Sequence, residues 1–275
     1  MLMPEIIKGD DLRDRMKSAM FNAQESTSSE RTGAAMFKIP DEKGLQHQSP
    51  WYWERVSLFD GVELSAKELF LRHATMHTYR RGQHVFREDD DANQVFYLHE
   101  GMTRIYRLSP DGDLTVYWYC IAGELFGAGG ITGCRTQAVN SQAMTKSTVH
   151  VMLRPVFEQM LTLHPKIAYN ALKLMGARLR LACDTIVDMR SQKTNTRVAL
   201  ALLRLSHNCG VLVNNAVKID APITHQEIAN MVGACRQTVT KVLRELEDDG
   251  LVRQDGRQLS IPNVAALKAF ALATV

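Results

Sequence analysis

Long apolar runs are absent from this 275-residue sequence, and its five cysteines are scattered. No segment reaches the roughly 18 consecutive apolar residues of a membrane-spanning helix. Residues 1–11 lack the basic and then apolar layout of a signal peptide. The cysteines include no Cys-x-x-Cys pair and no dense framework, which disfavours a zinc site and a disulfide scaffold. These absences predict a cytoplasmic protein without a membrane partner.

Signatures of catalysis are missing as well. The sequence has no nucleophile elbow, no phosphate-binding loop and no paired metal ligands. The glycine-rich stretch at residues 127–133 has the wrong spacing for a dinucleotide loop, and no helical pattern follows it. We therefore expect neither an enzyme nor a resident cofactor.

Charge is nearly balanced, with 33 basic and 30 acidic residues and a net charge of +3. Such a small excess does not by itself indicate a nucleic-acid partner, because strongly basic binders usually have a pI above about 9. The position of the excess is more informative. Residues 191–275 carry ten Lys and Arg against seven Asp and Glu, so this segment holds the whole excess.

Two kinds of periodicity divide the chain. Hydrophobic residues make up 45% of it, which is enough apolar surface for a core, and its length suits two domains. Short β-rich runs at residues 94–98, 102–108 and 114–120, with a turn at residues 110–113, predict an all-β module. After Pro155 the period becomes helical.

A long helix is predicted at residues 167–190, about 36 Å at 1.5 Å per residue. Its apolar residues recur at alternating three- and four-residue steps, the spacing of a two-stranded coiled coil. They are Leu172, Met175, Leu179, Ala182, Ile186 and Met189. A core helix of a monomer is the alternative, but it would carry a broader apolar stripe. The pattern favours a homodimer in which these residues contact the partner copy.

Residues 224–246 have the pattern of a helix-turn-helix. Thr224 with Glu227 three residues later predicts a capping box, and Gly233 suits the tight turn between two amphipathic segments. The alternative is an ordinary helical hairpin whose polar face is merely solvated. The outward side chains of the second helix are rich in donors that pair with guanine, adenine or phosphate. We expect DNA contacts from Thr224, Gln226, Arg236, Gln237, Thr240, Lys241 and Arg244.

On these residues the chain resembles the CRP/FNR family of transcription regulators. The resemblance spans about residues 55–262, and residues 223–252 are very similar to the reading unit of the family. It implies an α+β fold with an N-terminal double-stranded β-roll of the cyclic-nucleotide-binding type, a long dimerisation helix and a C-terminal winged helix-turn-helix. It also implies a homodimer that binds a small-molecule effector, a palindromic operator in double-stranded DNA, and RNA polymerase.

The resulting division has four parts. Residues 1–50 form an N-terminal arm, whose polar run at residues 24–30 predicts mobility. The other parts are an effector-binding β-roll (51–164), a dimerisation helix (165–192) and a winged helix-turn-helix domain (193–275).

The residues that bind nucleotide in members responsive to cyclic AMP are not matched. Ala128 stands at the ribose-binding glutamate, and Gln137 and Ala138 stand at the phosphate-binding Arg-Ser pair. Ala182 and Cys183 replace the Thr-Ser pair that meets the base. Because a buried phosphate needs a charge-assisted partner, the resemblance favours a small organic effector, for example an aromatic compound. The expected effector contacts are Tyr117, Tyr119, Phe126, Ala128, Ile131, Gln137, Val139, Leu179, Ala182 and Cys183.

Several alternatives remain open. Arg135 would hold a phosphate if the loop were shifted by two residues, which leaves a cyclic-nucleotide-responsive regulator. A haem-responsive regulator would use ligands such as His73 or Met76. A third alternative is an effector-binding module whose helical tail meets proteins rather than DNA. Gln237, where the cyclic-AMP activator has a glutamate, indicates a different operator.

Overall fold

The computed structural model describes residues 56–256 and 258–273. The N-terminal arm expected at residues 1–50 lies outside them. None of the helices in these two ranges is long and apolar enough to cross a membrane.

Two four-stranded antiparallel sheets form the first part of the fold. The strands are β1 (Thr75–Tyr79), β2 (His84–Phe86), β3 (Gln94–Glu100), β4 (Met102–Leu108), β5 (Leu114–Ile121), β6 (Leu125–Phe126), β7 (Asn140–Ala143) and β8 (Ser147–Leu153). Their order is β1-β8-β3-β6 in one sheet and β2-β7-β4-β5 in the other. Side chains from both sheets share a buried core that includes Phe86, Leu98, Ile105 and Val149. This arrangement confirms the predicted β-roll.

The roll is not all β, contrary to the prediction for the β-rich part of the chain. Helix α1 (Leu64–Arg72) precedes the first strand, and α2 (Arg154–Leu163) follows the last. Both helices pack against the outer face of the β3 sheet, where Phe70 and Phe157 join a second buried cluster. Residues 95–98 are consequently buried in succession, because this part of the strand is covered on both faces.

Helix α3 (Pro165–Ser191) contains the predicted long helix and extends it at both ends. Proline at its first position fits the helix start, where no amide hydrogen is needed. The side chain of Asn170 donates to the carbonyl oxygens of Leu58 (2.9 Å) and Asp60 (2.8 Å), and this ties the first turns to the β-roll.

A winged-helix unit follows. It contains α4 (Thr194–Cys209), β9 (Gly210–Val213), β10 (Ala216–Ile219), α5 (His225–Val232), α6 (Arg236–Asp248), β11 (Arg253–Asp255), β12 (Gln258–Ile261) and α7 (Val264–Leu272). The strands form one sheet in the order β11-β12-β10-β9. The wing implied by the family resemblance is the hairpin of β11 and β12. Fold class and part order agree with the expectation from the family resemblance.

One apolar cluster joins the winged-helix unit to the outer face of the β4-β5 sheet. It includes Met102, Val116 and Tyr119 from the roll, together with Leu202 and Ile228 from the winged-helix unit. The two units therefore share a buried interface within this chain.

Candidate nucleic-acid interface and effector region

The reading unit begins where the capping pattern predicts. Thr224 has extended backbone angles (φ −100°, ψ 165°), and its Oγ1 accepts a hydrogen bond from the amide of Glu227 at 3.2 Å. The second half of the predicted capping box is replaced by a longer-range contact. The two carboxylate oxygens of Glu227 accept from Arg104 Nη1 (2.6 Å) and from the hydroxyl of Tyr119 (2.7 Å), both in the β-roll.

Gly233 makes the turn between the two helices. Its φ of 61° and ψ of 48° lie in the left-handed region, which costs glycine little and other residues more. The amide of Ala234 closes the turn by donating to Ala229 O at 3.2 Å. Helix α6 then starts at Arg236.

Helix α6 has a buried face and an exposed face. Val239, Val242, Leu243 and Leu246 are buried against the rest of the unit, whereas the side chains expected to read DNA are exposed: Arg236, Gln237, Lys241 and Arg244. Such a helix can enter the major groove with its donor-rich face.

An acidic neighbour shares this exposed face. Lys241 Nζ lies 3.8 Å from Glu245 Oε1, with side-chain exposures of 79% and 52%. An exposed pair of this kind stabilises by less than about 1 kcal/mol. Lys241 is therefore available to a phosphate at small cost.

Three other predicted DNA contacts already have partners within the unit. The hydroxyl of Thr224 caps α5, and Gln226 Nε2 donates to Asn230 Oδ1 at 2.8 Å while remaining exposed. Thr240 lines the same surface of α6 as Arg236 and Lys241. It is half-buried, its hydroxyl donates to Arg236 O (2.9 Å), and it lies 2.9 Å from His225 Nδ1.

Sequence reasoning missed His225. Its Nε2 lies 3.3 Å from Gln254 Oε1, so one imidazole joins α5, α6 and the wing. The sequence offered no signal for this role, because a histidine just after a helix cap is unremarkable without knowledge of the wing position.

The ten expected effector contacts lie in different parts of the fold. Tyr119 faces the winged-helix unit, and with Tyr117 it lines a cleft bounded by α3, α4 and α5. Phe126 is buried in a ring cluster with Phe86 and Phe96, at centroid distances of 6.1 and 5.4 Å. The remaining members of the set are distributed between the loop after β6 and the exposed side of α3: Ala128, Ile131, Gln137, Val139, Leu179, Ala182 and Cys183.

The loop after β6 is where the family resemblance places nucleotide phosphate. Gln137 is only 3% exposed, and its Nε2 donates to Gly127 O at 3.3 Å. Arg154 enters the same loop from the start of α2 and donates to Gly130 O at 2.7 Å. Arg135 is exposed. A neutral, backbone-bonded amide thus occupies the position at which the resemblance calls for arginine.

Strand β5 also contacts α3. The guanidinium of Arg178 lies 3.3 Å from Glu124 Oε2 and 5.4 Å from the centre of the Trp118 ring. Its Nη2 also lies 3.5 Å from the sulfur of Cys120. Burial raises the pKa of the Cys120 thiol to about 12, despite the opposing effect of Arg178. This thiol is therefore neutral at physiological pH.

The two residues named as haem ligands are poorly arranged for that role. His73 Nδ1 lies 2.9 Å from Leu69 O at the end of α1, and Met76 is 62% exposed on β1. Over the part of the chain that the structure describes, no group of three or more His, Cys, Asp and Glu side chains is placed to hold a metal.

Comparison with known proteins agrees with this geometry. The Crp-like helix-turn-helix domain matches residues 196–270, and the cyclic nucleotide-binding domain matches residues 76–164. The CRP-like cAMP-activated global transcriptional regulator of Mycobacterium tuberculosis is 27% identical over 207 residues, which cover 75% of this chain and 92% of the relative. The cyclic AMP receptor protein of Thermus thermophilus is 27% identical over 220 residues, with coverages of 78% and 98%.

Solved structures show the same fold. The c-di-GMP responsive global regulator CLP of Xanthomonas campestris superposes with a TM-score of 0.65 at 22% identity, covering 73% of this chain and all of that one. A β-roll joined by a long helix to a winged helix-turn-helix defines a class of DNA-binding transcription regulators. The β-roll of this class is a domain of the cyclic-nucleotide-binding type. The chain belongs to the CRP/FNR family of these regulators.

Proposed function

We propose that this regulator responds to a small organic molecule, with aromatic compounds as the first class to test, rather than to cyclic AMP. The observation that supports this proposal most is the buried Gln137, whose amide donates to Gly127 O. A cyclic nucleotide would bring its phosphate to a neutral amide at this position, and desolvating a phosphate that lacks a charge-assisted partner costs several kcal/mol.

Cyclic AMP is the second candidate because two relatives at 27% identity are named for it. Calorimetric titration with cyclic AMP separates the two. We expect no heat of binding for the wild type at micromolar concentrations, and a thermal-shift screen of aromatic acids and phenols to give at least one stabilising compound. Tight cyclic-AMP binding would overturn the proposal.

We further propose that a homodimer reads a palindromic operator and contacts RNA polymerase there. The six predicted dimer-contact residues of α3 are all exposed in the single chain, with Leu172, Leu179 and Ile186 between 67% and 69% exposed. Two reading units brought together by this face would need half-sites about 34 Å apart.

A gel shift tests the assignment of the reading face. The variant Arg236→Ala with Lys241→Ala should lose DNA affinity. The slope of the logarithm of its binding constant against the logarithm of the salt concentration should become shallower by about one unit per lost phosphate contact. The matched control is Arg80→Ala with Arg81→Ala, which removes two exposed arginines from the β-roll. Unchanged affinity in the first variant would favour a module that binds proteins through its helical tail.

A further inference from the structure

The Glu227 carboxylate is shared between two parts of the fold. It belongs to the first helix of the reading unit, yet both its oxygens are bonded to the β-roll, through Arg104 at 2.6 Å and Tyr119 at 2.7 Å. The side chains of the ion pair are only 15% and 12% exposed. We refer to Arg104, Tyr119 and Glu227 as the clamp.

The β-roll holds its half of the clamp in position. Arg104 on β4 is the register partner of Tyr119 on β5 and of Gln142 on β7, so the three side chains form a row across one face of the sheet. The Nε of Arg104 donates to Gln142 Oε1 at 3.0 Å, and its guanidinium lies 4.8 Å from the centre of the Tyr106 ring. The guanidinium is therefore oriented by its own sheet.

Directional bonds restrict the geometry more than the surrounding apolar contact does. Val116 and Tyr106 belong to the apolar cluster that also contains Ile228 and Val232 of the reading unit. Apolar surfaces tolerate small sliding and rotation, whereas an ion pair and a hydroxyl bond to the same carboxylate require one orientation. Buried ion pairs in other systems have been linked to this kind of specificity.

Strand β5 connects this contact to the dimerisation helix. Successive side chains of a strand point to opposite faces. Tyr119 meets Glu227 on one face, and its neighbours Trp118 and Cys120 meet Arg178 of α3 on the other. A shift of β5 relative to α3 would therefore reach the reading unit through Tyr119.

We infer that Glu227 is a positioning residue, which fixes the orientation of the reading unit on the β-roll through Arg104 and Tyr119. The inference rests on the proposed DNA-binding function. Because Arg236, Gln237, Lys241 and Arg244 stay exposed while the clamp is closed, the clamped orientation leaves the reading face accessible. Two reading units that are each held in a fixed orientation lose less conformational freedom on binding, so the clamp favours simultaneous binding of two half-sites.

The test uses duplexes selected by the wild-type protein from a random DNA library. Affinity is measured for a site with both half-sites and for one in which a half-site is scrambled. Tyr119→Phe, which leaves the charge unchanged, and Glu227→Gln should each weaken binding to the full site about tenfold and change binding to the single half-site less than twofold. The variant with both Tyr119→Phe and Glu227→Gln should bind the full site no more weakly than Glu227→Gln alone, because both changes act on one carboxylate.

The matched control is Glu88→Gln. It breaks the 2.9 Å ion pair with Arg107 inside the β-roll and does not involve the reading unit. It should leave both affinities at the wild-type value. Equal weakening at full and half sites by the clamp variants, unchanged affinity, or tighter binding would each overturn the inference.

A measurement without DNA distinguishes failure of the clamp from failure of the proposed function. Trypsin cleavage after Lys193, between α3 and α4, should be at least about fivefold faster in the clamp variants than in the wild type and in Glu88→Gln, because the reading unit is released more often. Equal cleavage rates would contradict the clamp. A wild-type protein without sequence-selective, salt-dependent DNA binding would contradict the proposed function, while the cleavage rates would still decide on the clamp.

Discussion

Tyr119 combines a buried phenol with a charged partner. Its pKa is raised well above the ordinary value of 10.0, first because burial penalises the phenolate and then because the negative charge of Glu227 opposes ionisation. The folded state thus favours the protonated form. The resulting stabilisation of the folded state is fully present below the pKa that Tyr119 has in the unfolded chain. It is lost as the pH rises through the pKa that Tyr119 has in the folded protein.

Phenolate absorbance should reveal this shift. At a pH of about 10.5, where free tyrosine is largely ionised, the native wild type and the Tyr119→Phe variant should show equal tyrosinate signals. In denaturant the wild type should exceed the variant by about three quarters of one tyrosinate. The same excess in the native wild type at this pH would show that Tyr119 ionises normally.

Gln237 should determine the base read at one position of each half-site. It is exposed on α6, and glutamine pairs with adenine whereas glutamate accepts from cytosine. Gln237→Glu should therefore change the preferred base at one position per half-site, with discrimination of about 1–3 kcal/mol. Selection from a random DNA library measures this preference. The control Gln226→Glu, on α5, should leave that position unchanged.

At the scale of elements, α3 presents apolar side chains to solvent. Ile186 and the adjacent Val187 are 67% and 59% exposed, but only Ile186 lies on the predicted coiled-coil spacing. Ile186→Glu should weaken the dimer more than about tenfold, because the change removes about 2 kcal/mol of apolar burial and introduces charge. Sedimentation equilibrium should show little change for Val187→Glu. Equal effects would place the dimer contact elsewhere.

The predictable elements were those whose signals are local and regular. The bounds of β4 match the predicted run of residues 102–108, and α3 exceeds its predicted range by only a few residues. Helix α1 was missed because it is short and buries only Ala66 and Phe70. Its helical pattern is weak on that account.

Two further elements escaped prediction for other reasons. The β9-β10 hairpin turns at Asn214 and Asn215, whose φ angles are 49° and 63°, and an Asn-Asn pair is a weaker turn signal than Asn-Gly. Helix α7 (Val264–Leu272) is apolar along nearly its whole length. Periodicity cannot distinguish such a run from a buried strand.

At the scale of the whole molecule, α4 anchors the winged-helix unit. Leu202 is fully buried in the cluster that spans the two units. Leu202→Ala should lower the free energy of unfolding by about 2–5 kcal/mol, through lost burial and the cavity left behind. Urea denaturation measures the change. The control Leu212→Ala, at a residue 49% exposed on β9, should cost less than about 1 kcal/mol. A smaller effect at Leu202 than at Leu212 would contradict this description of the core.

The sequence by itself determined the reading unit, because a cap at Thr224, a turn at Gly233 and amphipathic spacing are all encoded within a short segment. The sequence also determined the three- and four-residue spacing of the exposed apolar side chains of α3. Tertiary structure alone decided the partner of Glu227, since Arg104 lies 123 positions away along the chain, and it decided that Gln137 is buried and bonded to backbone. Contacts of this kind depend on how sheets and helices pack, and no local pattern encodes them. The same packing directed Tyr119 toward the reading unit and divided the expected effector residues between separate parts of the fold.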